Sequence, residues 1–198
     1  NDRIGDQDVL YMVLQSDIDK IGLTLEEIDR ESFDKAADAI VAARRIYIVG
    51  LRSSASIATF LGFYFNLIFD NVVMISANTV SEVLESLLRV GEGDVVIGIS
   101  FPRYSSRAVQ AMSFARDRGA TTIAITDSEV SPLASIAQYT LKARSDMASF
   151  VDSLVAPLSL VNALLVAVSR KKNEDLSKTF ETLEKIWEEY GVYEKTLE

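Results

Sequence analysis

GDVVIGISFPRYSSRAVQAMSFARDRGATTIAIT (93–126) decides the fold. Asp94 to Ser100 is an apolar run of strand length that ends in a polar turn. Ser105 or Ser106 caps a helix that continues to Arg118, and Gly119 stands where a left-handed residue closes a helix. Thr121 to Thr126 is a second run of strand length. A strand, a helix and a strand in that succession form a right-handed crossover between parallel strands, and a continuous apolar strand is covered on both faces.

The alternation recurs on both sides of this block. Upstream, RIYIV (45–49) closes on Gly50, a helix covers 53–69, and VVMISA (72–77) is another strand. Thr79 and Glu82 form a capping box, in which each side chain satisfies the other's free N–H, and Gly91 and Gly93 end that helix. Downstream, Ser131-Pro132 pairs an N-cap with a proline at the first helical position. Gln138 to Ala143 is a fifth strand, and helices at about 148–170 and 174–190 close the chain. Ser32 is read as the cap of a helix whose apolar face is Phe33, Ala36, Ala37, Ile40 and Ala43. Residues 1–31 are charged and weakly periodic, the pattern of a linker with a short helix, so the expected domain is 32–198. The expected architecture is α/β: a three-layer α/β/α sandwich around a five-stranded parallel sheet, with the flavodoxin-like strand order 2-1-3-4-5.

The chain contains neither cysteine nor histidine. That excludes a disulfide framework, thiolate or histidine zinc sites, a Ser–His dyad and a histidine proton shuttle. A formal charge of −9 argues against direct contact with nucleic acid, which needs a basic face. Residues 57–69 and 154–168 are strongly apolar, but each run is shorter than the roughly 20 residues of a spanning helix. They read as buried helices, and no signal peptide precedes them. A cytoplasmic protein with no membrane contact and no cofactor is expected. The chain begins with Asn1 rather than Met, as an excised fragment would.

In an open doubly wound sheet, ligands bind beyond the carboxyl ends of the strands, where strand order reverses. Here that point lies between the strands followed by Gly50-Leu51-Arg52-Ser53-Ser54 and by Ser100-Phe101-Pro102-Arg103-Tyr104-Ser105-Ser106. Each loop leads into a helix N-terminus, whose free N–H groups and dipole favour an anion. Hydroxyls from both loops converge on one phosphate group, and Arg103 adds a charge-assisted bond of roughly 1.5–3 kcal/mol. Any single serine at a helix start is explained as an N-cap; the signal is two serine-rich turns flanking the switch point. Asp152, near a helix start, is read as compensating the helix dipole, with sugar hydroxyls as its other use. The acidic run 174–198 reads as a solvated helix face with Leu176, Phe180, Leu183 and Trp187 turned inward.

At these loops the sequence resembles the SIS (sugar isomerase) domain family, and most of all the SIS domain of RpiR-type bacterial transcription regulators. RIYIVGLRSSASIA (45–58) is similar to the family's first strand and phosphate loop, and 93–134, ending in SPLA, follows its central block. The likeness extends over about 33–170. TLEEIDRESFDKAADAIVAAR (24–44) resembles the segment that joins an N-terminal helix-turn-helix domain to the SIS domain in those regulators. The resemblance implies that Ser54, with Ser53 beside it, is the phosphate-binding serine of the first loop, and that Ser100 and Ser105 are the hydroxyl positions of the second. Arg52 departs from the family where many members have glycine. Pro102-Arg103 departs where the sugar-processing enzymes have Ser-Gly.

The resemblance implies a non-enzymatic domain that senses a sugar phosphate on behalf of a transcription regulator, with DNA contacted only through an N-terminal domain outside these residues. The alternative is a sugar-phosphate isomerase or lyase. Such an enzyme needs a base near the reacting carbon. Histidine is absent, and Glu129 sits after the fourth strand without a motif that gives it this role. A homodimer or higher homo-oligomer is also expected. The helix 53–69 carries Phe60, Phe63, Tyr64, Phe65 and Phe69 in several directions, 154–168 is apolar all round, and an isologous contact would cover both.

Overall fold

Five short segments rich in isoleucine, valine and threonine form one sheet: Ile46–Gly50 (β1), Val72–Ile75 (β2), Val95–Ile99 (β3), Thr121–Thr126 (β4) and Tyr139–Lys142 (β5). The computed structural model describes residues 6–76, 79–146 and 151–193, with backbone alone at 6–8 and 173–177. All neighbouring strands pair in parallel, in the order β2-β1-β3-β4-β5. This is the expected doubly wound order, and it places β1 beside β3, with Gly50 opposite Ile99.

The helices are α1 (Asp6–Glu27), α2 (Arg30–Ala42), α3 (Ser54–Ile68), α4 (Val80–Ser86), α5 (Ser106–Asp117), α6 (Val155–Lys171) and α7 (Asn173–Glu189). Side-chain alternation along the strands divides the core in two. Ile46 and Ile48 of β1, with Val95, Ile97 and Ile99 of β3, meet α2, α3 and α6 on one face. Tyr47 and Val49 of β1, with Val96 of β3, meet α4 and α5 on the other. Every residue of β1 and β3 is buried, which is why these strands read as continuous apolar runs.

Several local expectations are corrected. Asp29, not Ser32, caps α2: its carboxylate accepts the N–H groups of Glu31 and Ser32 at 3.0 and 3.3 Å, and the Ser32 hydroxyl donates to it as well. A charged acceptor at the positive end of a helix outcompetes a hydroxyl. Residues 6–27 are one long helix rather than a short one, and residues 1–5 lie outside the described chain. The capping box of Thr79 and Glu82 forms, but α4 stops at Ser86, well before Gly91. The Ser131 hydroxyl accepts the Ala134 N–H at 3.1 Å, which closes a turn instead of an α-helix. The last helix pair begins at Val155, not 148; of the earlier start, 148–150 lie outside the described residues, as does Ala77 of the second strand. On α7, Phe180 is exposed rather than inward, while Leu183 and Trp187 are half-buried; the Leu176 side chain is not described. Gly119 has the positive φ expected of it, +80°.

Candidate functional site

The two switch-point loops form the walls of a single cavity of about 280 Å³. The wall after β1 exists because position 50 is glycine. A Cβ there would stand 2.7 Å from both Ala58 Cβ and the Ser54 carbonyl oxygen. Glycine therefore lets the first turn of α3 sit directly over the strand end. Leu51 is buried and Arg52 turns the chain with φ +58°. Ser53 precedes the helix without capping it through its side chain. Ser54, the first helical residue, is 3% exposed, and its hydroxyl is bonded to no other described residue.

The wall after β3 is tied more tightly. The Ser100 N–H donates to the Ile125 carbonyl of β4 at 3.1 Å. The Ser100 hydroxyl oxygen accepts the Ser105 N–H at 3.0 Å, closing the loop on itself. Ser105 caps α5, accepting the Ala108 N–H at 3.4 Å. Tyr104 donates its phenol proton to Asp127 at 2.8 Å, anchoring the loop to the chain leaving β4. Burial, aided by that bond to a carboxylate, holds the Tyr104 phenol above its ordinary value near 10. Arg103, at φ +63°, carries its guanidinium outward into solvent at the cavity mouth.

All five sequence-derived candidates, Ser53, Ser54, Ser100, Arg103 and Ser105, line this cavity. Leu51, Phe101 and Pro102 supply the apolar part of the wall. Two lining residues stood outside that set. Arg52 adds a second cationic residue to the lining. Asp152 contributes the one carboxylate among the described lining residues, and it pairs with Arg103 at 3.9 Å. Asp152 lies two residues before Leu154, the N-cap position of α6, so helix-start position was the available signal; its arrival at the cavity comes from the path after β5. The site thus combines two helix N-termini, two arginines and four hydroxyls around one carboxylate, a field that favours an anion and keeps one acceptor for a neutral hydroxyl. Among the described residues no group of acidic side chains is placed to hold a metal ion, and no helix is long and apolar enough to cross a membrane.

A family model described as the SIS domain matches residues 39–167. The chain belongs to the SIS domain family. The match takes in both loops of the cavity. The sugar isomerase domain of the RpiR transcription factor from Sphaerobacter thermophilus superposes on this SIS domain with a TM-score of 0.84 at 30% identity, over 88% of this chain and 97% of that one. The chain therefore belongs with the SIS domains of RpiR regulators. An uncharacterized HTH-type transcriptional regulator of Caldanaerobacter subterraneus subsp. tengcongensis is 29% identical over 170 residues, covering 84% of this chain and 60% of the regulator. The SIS domain thus spans about three fifths of the length of that curated relative. The fold is also shared with the Vibrio vulnificus NanR protein complexed with ManNAc-6P, at a TM-score of 0.79 and 20% identity, over 92% of this chain and 69% of that one.

Proposed function

We propose that this SIS domain binds a sugar phosphate between residues 50–54 and 100–105 and serves as the effector-sensing half of a transcription regulator. The observation that carries the reading is the convergence of two helix N-termini, from α3 and α5, on one cavity that also holds Ser54, Ser100 and Arg103. The phosphate takes the N–H groups and hydroxyls of the two loops, with Arg103 and Arg52 neutralising its charge. Asp152, on the same cavity lining, accepts hydroxyls of the sugar. The ManNAc-6P complex of the NanR relative supports a phosphosugar as the ligand class. The helix-turn-helix relatives support an output to DNA through a domain upstream of residue 1, with 1–31 as the connection and 32–198 as the SIS unit.

The isomerase or lyase alternative requires a free base beside the sugar. Glu129 is exposed and paired with Lys142 at 3.2 Å, away from the cavity lining. Asp152 is the one carboxylate among the described lining residues, and we assign it to the sugar hydroxyls as an acceptor. We therefore read the domain as a cytoplasmic sensor that turns over no substrate. It acts as a homodimer: Phe63, Tyr64, Val166 and Phe180 leave an apolar surface exposed around the hollow between α3, α6 and α7.

A thermal-shift screen of hexose and hexosamine phosphates tests the reading. A ligand at 100 times its dissociation constant adds about 2.7 kcal/mol. A clear rise in melting temperature with one phosphosugar, and recovery of that sugar unchanged after incubation, is the expected result. No stabilisation by any phosphosugar, or its conversion to an isomer, would reject it.

A further inference from the structure

Asp152 and Ser153 are consecutive residues whose side chains go to different places. Asp152 lines the cavity and pairs with Arg103 at 3.9 Å. The Ser153 hydroxyl donates to Asp17 on α1 at 2.7 Å. The Ser153 carbonyl is held in turn by the buried Ser145 hydroxyl at 3.1 Å. On α1, Asp17 is fixed by buried Lys20 at 3.4 Å, and Lys20 also donates to the Ser16 hydroxyl at 2.8 Å. A second tie lies further along α1: the Arg144 N–H donates to Thr24 Oγ1 at 3.0 Å, and the Arg144 guanidinium pairs with the Glu27 carboxylate. The chain leaving β5 therefore faces the cavity with one side chain and grips α1 with the next.

We propose that the Ser153–Asp17 hydrogen bond couples occupancy of the cavity to α1, an inference that rests on the sugar-phosphate reading of that cavity. The Arg103–Asp152 pair is too long for a hydrogen bond, and Arg103 is 72% exposed, so little holds the pair against a competitor. A phosphate carries more charge than a carboxylate and offers oxygens to both ends of a guanidinium, so it displaces Asp152 from Arg103. Asp152 then turns to the sugar hydroxyls. The Cα of Ser153 follows that of Asp152 by only about 3.8 Å across one planar peptide, so a shift at 152 is felt at 153. The bond that receives the shift is charge-assisted and therefore strong. Elsewhere α1 is loosely covered, with Leu10, Tyr11, Leu14 and Ile18 exposed, so its polar ties govern how it is held. α1 is also the first element of the chain, through which any domain upstream of it is attached.

The test is amide hydrogen exchange of α1 in the 198-residue chain, with affinity measured in parallel by calorimetry. The probes are ManNAc-6P and other hexose phosphates, with inorganic phosphate as the anion that lacks sugar hydroxyls. In the wild type, a saturating phosphosugar slows exchange around Asp17 by about threefold or more, and inorganic phosphate has a smaller effect. Ser153→Ala binds the phosphosugar within about threefold of the wild-type affinity yet shows no ligand effect on α1, and Ser153→Thr, which keeps the hydroxyl, restores it. Asp17→Asn, which keeps the shape but weakens the acceptor, gives a reduced ligand effect and serves if Ser153→Ala does not fold. Equal slowing in Ser153→Ala or Asp17→Asn and wild type, or no slowing in a wild type shown to bind, overturns the coupling and leaves the sugar-phosphate reading standing. A wild type that binds none of the probes overturns both.

Discussion

Arg52 and Arg103 share one backbone conformation: φ is +58° at the first and +63° at the second, and each turns one of the two loops that wall the cavity. A left-handed residue with a side chain costs roughly 1–2 kcal/mol. At both positions the strain accompanies a cationic side chain on the wall of the proposed phosphate site.

Glycine substitutions separate the two effects. Arg52→Gly and Arg103→Gly should each stabilise the fold by up to about 1 kcal/mol, after allowing for the added freedom of the unfolded chain. Arg103→Gly should at the same time weaken phosphosugar binding, with loss of roughly 1.5–3 kcal/mol of charge-assisted bonding. Denaturant titration and calorimetry on the same samples check the opposite signs. A destabilised Arg103→Gly that binds normally would refute the assignment.

Ser54 and Ser100 predict different phenotypes although both line the cavity. The Ser100 oxygen accepts the Ser105 N–H, so Ser100→Ala removes an internal partner as well as a ligand donor. It should lower stability by about 1–2 kcal/mol and lower affinity too. Ser54 makes no hydroxyl bond to another described residue, so Ser54→Ala should cost about 1–3 kcal/mol of affinity and leave the melting temperature of the free protein nearly unchanged.

Burial of the Tyr104 phenol, with its bond to Asp127, gives the loop a dependence on alkaline pH. The folded phenol titrates above its unfolded value near 10. Its contribution to stability is therefore complete below that value and is lost as pH rises through the folded one. Stability measured against pH should fall more steeply above about 10 in the wild type than in Tyr104→Phe. Parallel curves would show that the folded phenol is not held above its unfolded value.

The proposed homodimer has a direct check. Light scattering at micromolar concentration should give about twice the 21.8 kDa of one chain, and Phe63→Glu on the exposed face of α3 should shift the mass toward one chain. A wild-type mass of one chain would remove the dimer.

The sheet was legible because burial on both faces leaves its central strands uninterrupted runs of apolar residues, and the helix that follows β3 carried its own cap and its closing glycine. The cavity was legible for a related reason: Ser53, Ser54 and Ser105 sit at helix starts and Ser100 at a strand end, all fixed by local sequence. α1 was read short because its apolar residues, Leu10, Tyr11, Leu14 and Ile18 among them, are not gathered on one buried face and leave a weak periodicity. Asp29 and Ser32 are both competent caps by residue type, so local sequence does not separate them; in the fold the Asp29 carboxylate takes the helix N–H groups. Asp152 reaches the cavity through the path of the chain after β5, which no local pattern encodes.

The most direct measurement is a crystal structure of this chain with a phosphosugar that stabilises it. The phosphate should lie within hydrogen-bond distance of the Ser54 and Ser100 hydroxyls and of backbone N–H groups at the starts of α3 and α5, with a sugar hydroxyl on Asp152. A phosphosugar seated anywhere else, with the cavity between 50–54 and 100–105 holding only solvent, would contradict the account.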